Sequence, residues 1–172
     1  MAAFEEMQFL AENDALTGVG NRRAFTRRLA EEVHRAARYG QRFALVVLDI
    51  DGFKSLNDFY GHFEGDMALE AIGEVLRATM RRSDCAFRLG GDEFALILED
   101  AGVQEATSVV DRLGAGIAGV QAGAGHLLRA SFGVALGDGS PDPEALLQAA
   151  DAAMYEAKRA GVGMRFAAAS TP

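Results

Sequence analysis

Arg88-Leu89-Gly90-Gly91-Asp92-Glu93-Phe94-Ala95-Leu96-Ile97-Leu98 decides how this chain is read. Its two glycines separate a short apolar run, Ala86 to Leu89, from a stronger one, Phe94 to Leu98. That pattern predicts a β-hairpin whose turn takes backbone angles only glycine adopts at little cost. Asp92 and Glu93 follow at the tip. Adjacent carboxylates repel each other and add nothing to a core. Bare glycine backbone, however, admits a phosphate, and two acids attract a cation. The hairpin points to a metal–nucleotide site, with Gly90 and Gly91 towards phosphate and Asp92 and Glu93 towards metal.

The flanking sequence supplies a frame for such a hairpin. Phe43 to Leu48 is apolar at every position, which suits a strand covered on both faces. Phe25, Leu29, Val33 and Ala36 recur at helical spacing between Arg22 and Tyr39, and Gly40 ends that run. Further helical patterns cover Phe53 to Phe59, Glu64 to Arg82 and Val103 to Ala118. Leu127 to Leu136 reads as a strand interrupted at Gly133. Asp142-Pro143-Glu144 combines an N-cap, a first-turn proline and an acid at the positive end of a helix that stops at Gly161. Met164 to Ala168 is expected to form an edge strand, and residues 3–12 a short amphipathic helix. The order fits a mixed sheet flanked by helices.

Asp49-Ile50-Asp51 closes the apolar strand. A charge at the end of a buried strand is costly unless paired or bound to a cation, and hard carboxylate oxygens suit Mg²⁺ or Mn²⁺ completed by phosphates. Asp51 is equally suited to capping the next helix. Lys54, Asn57 and Asp58 fall within one helical turn of each other. Lys54 is a natural phosphate contact. Asn57 offers a donor and an acceptor, and Asp66 can accept from the N1–H and exocyclic amine of guanine, a pair of donors that adenine lacks. The plainer role for Asp66 is a helix cap, and for His62 a structural one.

Composition sets outer limits. The chain has 172 residues, 49% of them apolar, enough for one domain with a sizeable core. Its longest apolar run, Phe43 to Leu48, is far short of the ~20 residues of a membrane helix, and no secretory signal opens the sequence. The lone Cys85 excludes an internal disulfide and reads as a small core residue in a reducing compartment, so a cytoplasmic protein is expected. A net charge of −8 argues against a general nucleic-acid surface. His34 and His126 match no ligand spacing and read as surface residues.

With these residues in view, the chain resembles the GGDEF domain of bacterial diguanylate cyclases, from about Asp14 to Gly161. Asp14-Ala15-Leu16-Thr17-Gly18-Val19-Gly20-Asn21-Arg22-Arg23 is similar to the family's N-terminal motif, with Val19 for the usual leucine. Leu48 to Lys54 resembles its metal strand, Asn57 to Asp66 its guanine-recognition segment and Arg88 to Phe94 its signature hairpin. Ser131 to Ala135 and Asp151 to Lys158 match the closing strand and helix. Motifs in this order and at this spacing are highly specific.

The resemblance implies an α+β fold, a palm-like, nucleotidyl-cyclase-like domain whose central sheet is mixed, largely antiparallel and five-stranded, flanked by helices. The domain is expected over residues 14–168, preceded by a connecting helix within 1–13 and followed by a frayed tail, 169–172. The implied activity condenses two GTP into cyclic di-GMP and two pyrophosphates. By carry-over, Asp49, the carbonyl of Ile50, Asp92 and Glu93 hold two Mg²⁺ or Mn²⁺ ions, the arrangement of two-metal phosphoryl transfer. Asp92 is also the implied general base, with Glu93 and Lys54 assisting. Asn57 and Asp66 would read guanine, His62 would lie near the nucleotide, and Lys54 and Lys158 would neutralise phosphate. Each 3′-OH must reach the other nucleotide's α-phosphate, so a homodimer, assembled transiently, is implied.

Arg81-Arg82-Ser83-Asp84 has the R-x-x-D form that binds cyclic di-GMP as an inhibitor in many members. Arg112 is a candidate auxiliary arginine; a solvated helix end is the plain alternative for the motif. One departure stands out: the closing helix of the family usually runs on to an arginine where this chain has Val162. That favours an alternative, a weak or inactive module acting as a cyclic di-GMP or GTP receptor. An ATP-using palm cyclase is disfavoured by Asp66.

Overall fold

The consecutive apolar residues of β1 (Phe43–Ile50) follow from burial on both sides. Phe43, Leu45 and Val47 pack with α1 (Arg22–Tyr39) and α5 (Pro143–Ala160). Ala44, Val46, Leu48 and Ile50 pack with α2 (Phe53–Tyr60), α3 (His62–Thr79) and α4 (Val103–Ala118). The alternation is the period of a strand, with a helical layer on each face. Leu45, Leu48 and Ile50 are completely buried, each stabilising the fold by roughly 1.5–3 kcal/mol relative to exposure. This computed structural model describes residues 11–137 and 142–168. The helix expected over 3–12 and the tail 169–172 fall largely outside those residues, although Ala11 and Glu12 are helical.

The sheet has five strands in the order β2-β3-β1-β6-β7, formed by β2 (Cys85–Gly90), β3 (Glu93–Glu99), β6 (Ala130–Leu136) and β7 (Met164–Phe166) around β1. Every pairing is antiparallel except β6 with β7, which is parallel. The α+β class and the largely antiparallel mixed sheet are as expected. Among the described residues no helix is long and apolar enough to cross a membrane.

Local sequence explains most boundaries. Asn21 caps α1 by accepting from the Ala24 N–H at 2.9 Å, and Gly40 ends the helix in the left-handed region. Asp142 caps α5, with Pro143 at its first position. Three expectations change. β6 runs unbroken through Gly133, because a Cβ there would strike the backbone of Ala150 and Met154 on α5. The glycine marks a close strand–helix crossing rather than a break. Asp66 does not cap a helix: α3 begins at His62, immediately after Gly61, so Asp66 lies inside it. The strand expected from Leu127 starts only at Ala130, and Leu127 belongs instead to a small hairpin of β4 (Gln121–Ala122) and β5 (His126–Leu127) that local sequence does not predict.

Candidate nucleotide and metal site

The end of β1 and the turn between β2 and β3 come together through backbone pairing. Asp49 stands opposite Glu93 in the antiparallel ladder, and the Ile50 N–H donates to the Asp92 carbonyl at 3.3 Å. Gly90 and Gly91 both take positive φ in the turn, 145° and 54°. Strand register thus places three acids, Asp49, Asp92 and Glu93, on one rim. Ile50 is fully buried, so only its backbone is available there.

The acids oppose one another. Burial, then the Asp49 charge, pushes the Asp92 carboxyl above its ordinary range, against the pull of Lys158 and Arg88. Burial also raises Glu93, followed by the charges of Asp49, Asp151 and Asp92, with Arg22 opposing. Lys158 reaches across from α5 and forms an ion pair with Asp49, which raises the lysine's own pKa. Such a rim holds hard oxygen donors that a divalent cation would relieve.

A second set of contacts fixes the turn. Arg88 donates twice to the Gly91 carbonyl, at 2.9 and 2.8 Å, and to both oxygens of Asp14, at 3.2 and 3.3 Å. Asp14 also accepts from the Thr17 hydroxyl and N–H. Burial would raise the Asp14 carboxyl, but these hydrogen bonds outweigh it and hold it below its usual value. Arg22 donates to the Leu89 carbonyl at 3.1 Å. The N-terminal motif therefore braces the hairpin that carries the acids. Spacing alone assigns no role to Asp14, Arg22, Arg88 and Asp151; their place within motifs is the available signal, and their contacts arise only on folding.

α2 leaves directly from the end of β1. Asp51 does not cap it: the cap position is Gly52, without a side-chain bond, and Asp51 accepts from the Ser131 hydroxyl at 2.9 Å. On α2, Lys54 is exposed, and the side-chain oxygen of Asn57 is buried with no hydrogen-bond partner among the described residues. That carboxamide lies against Gly65 of α3, where any Cβ would collide with it. His62 and Asp66 are exposed on α3 on either side of this contact in sequence. Asn57 and Asp66 are thus brought near one helix–helix junction.

Arg81 and Asp84 form a tight turn, with the Arg81 N–H donating to the Asp84 carboxylate at 3.2 Å. They line a cavity of about 540 Å³ with Arg27, Arg28 and Arg77. Arg112 is not among its lining residues; it borders a separate depression on α4 with Val103 and Asp111. Cys85 starts β2 beside this cavity, packed against the core, and burial pushes its thiol up.

Among the described residues no three acid, histidine or cysteine side chains converge as a ready-made metal cage. This donor set instead suits a cation such as Mg²⁺, which binds through one or two carboxylates and leaves other positions to waters and substrate phosphates. Asp49, Asp92 and Glu93 fit that demand, with the Ile50 carbonyl as a backbone donor.

Residues 11–164 match the family model described as diguanylate cyclase, GGDEF domain. The chain is 38% identical to the diguanylate cyclase DgcS of Shewanella oneidensis, over 92% of this chain and 53% of that protein. It is 39% identical to the diguanylate cyclase DgcP of Pseudomonas aeruginosa, over 91% of this chain and 24% of the other. The chain therefore spans about half or less of these curated relatives. Among solved structures, the coiled coil and GGDEF domain of DgcB from Caulobacter crescentus in complex with c-di-GMP superposes with a TM-score of 0.89 at 28% identity, covering 98% of this chain and 91% of that one. The diguanylate cyclase SiaD of Pseudomonas aeruginosa, in complex with its activator SiaC, gives a TM-score of 0.85 at 34% identity, covering 93% of this chain and 63% of that one. Matched along nearly its whole length and sharing both the fold and the hairpin, the chain belongs to the diguanylate cyclase GGDEF-domain family.

Proposed function

We propose that residues 14–168 form a diguanylate cyclase domain that condenses two GTP molecules into cyclic di-GMP and two pyrophosphates. The observation that carries this reading is the rim of Asp49, Asp92 and Glu93 at the point where β1 leads into α2. Cyclases of this family are metal-dependent, and two Mg²⁺ or Mn²⁺ ions would be held by Asp49, Asp92, Glu93 and the Ile50 carbonyl. When bound, the metal lowers the pKa of the attacking hydroxyl and neutralises charge on the leaving pyrophosphate. Asp92 is the proposed acceptor of the 3′-OH proton as that oxygen attacks the α-phosphate of the other nucleotide. The new P–O bond forms as the bond to pyrophosphate breaks, and a second identical step closes the ring.

Around the reacting atoms, the exposed Asp66 supplies an acceptor for guanine N–H groups, and the Asn57 carboxamide at the adjoining helix junction is the proposed second guanine contact, with His62 beside them. Lys54 and Lys158 offset phosphate charge, and the bare backbone of Gly90 and Gly91 gives the phosphates room. Because each nucleotide supplies the nucleophile for the other, two domains face each other during turnover as a transient homodimer. Arg81 and Asp84, in their arginine-lined cavity, are the proposed site of product inhibition, with Arg112 as an outlying auxiliary. The domain is assigned to the cytoplasm.

Purified protein given GTP and Mg²⁺ is expected to release pyrophosphate and yield a cyclic dinucleotide identified by mass. Asp92→Ala should lower turnover on the order of 100-fold or more. No product from the wild type at high concentration would sink the cyclase reading. Val162, apolar where the family carries a charge, favours a second reading as a receptor. Tight binding of cyclic di-GMP without turnover would select it.

A further inference from the structure

A cavity of about 760 Å³ opens between α4, the start of β6 and the loop that follows α5. Asp51, Ser131 and Lys158 of the site already described help to line it, with Arg129, Asp111 and Val162. Among the described residues, Arg129 and Lys158 are the only cations of that lining. Lys158 is paired with Asp49. The Arg129 guanidinium has no hydrogen bond or ion pair among the described residues, and Asp111 forms no ion pair with any of them. Arg129 is nonetheless anchored, because its carbonyl accepts the Asp51 N–H at 2.9 Å.

That anchoring sets Arg129 beside the start of α2. The helix begins at Gly52 with no side-chain cap and no acid in its first turn, so none of its own first-turn side chains offsets the positive end of its dipole. Lys158, the open end of α2 and Arg129 therefore bring positive groups to the Asp51–Gly52 turn, beside the carboxylates of Asp51 and Asp111, while Val162 adds none. Such a convergence matches an extended polyanion better than a single phosphate, and a guanidinium fork suits phosphate oxygens.

We propose that Arg129 contacts the terminal phosphates of the bound nucleotide and makes this site selective for a triphosphate over a monophosphate. The proposal rests on the reading of GTP as substrate. Equilibrium binding of a non-hydrolysable GTP analogue and of GMP, with Mg²⁺ present, tests it in the wild type, Arg129→Ala and Arg129→Lys. Arg129→Ala should weaken the triphosphate analogue about tenfold, the loss of one charge-assisted contact, and leave GMP within about twofold. Arg129→Lys should fall between. Undiminished binding of the analogue by Arg129→Ala overturns the assignment, as does an equal loss for GMP, which would mark a structural effect. A wild type that binds the analogue no more tightly than GMP overturns it too. A wild type that binds neither nucleotide overturns both the assignment and the GTP reading.

Discussion

Asp92 sits where ionisation is unfavourable to the folded chain. Its raised pKa means that the native state keeps this proton to higher pH than the unfolded state does. Any stability from it is therefore complete below the unfolded pKa and is lost as pH rises through the folded one. Without metal, the ionised carboxylate opposes folding. Asp92→Asn should raise the melting temperature by about 2–4 °C in chelator-containing buffer while abolishing turnover. Added Mg²⁺ with nucleotide should stabilise the wild type more than the variant. A melting temperature that fell on substitution would contradict this account. The candidate acids were legible in the sequence because two carboxylates beside two glycines have no use in a core. The contacts of Arg88 were not, since its partners Asp14 and Gly91 are joined by folding rather than by spacing.

Elements were readable where their ends carry local chemistry. α4 and α5 begin and end where the sequence placed them, and Asp142, Pro143 and Gly161 show why. β4 and β5 escaped notice because strands of two residues carry no alternation, and Gly123 to Gly125 resembles a loop. Gly133 misled for a different reason: its lack of a side chain answers to α5, a partner that local sequence does not reveal. Gly133→Ala should accordingly cost about 1–3 kcal/mol or more, because the colliding atoms include helix backbone that cannot move aside alone. Urea unfolding measures this directly, and a midpoint within error of the wild type would show that β6 and α5 separate easily.

At the scale of the whole molecule, one domain presents one rim of acids, whereas the proposed reaction needs two nucleotides presented to each other. Activity per mole of chain should rise with protein concentration until the dimer saturates. Initial rates across a hundredfold dilution series, on the order of that range, would reveal it; a constant specific activity would point to a preformed dimer or to a different reaction. The pairing of Lys158 with Asp49 has a further meaning here. The rim carries its own counter-ion, borrowed from a helix far along the chain. A metal arriving alone must evict the lysine, but one arriving with a nucleotide offers the displaced ammonium a phosphate in exchange. Metal and nucleotide should therefore bind with positive cooperativity, each tightening the other by the same factor. Titrating Mn²⁺ with and without a non-hydrolysable nucleotide would expose that reciprocity, and Lys158→Met should flatten it by letting the metal bind well on its own.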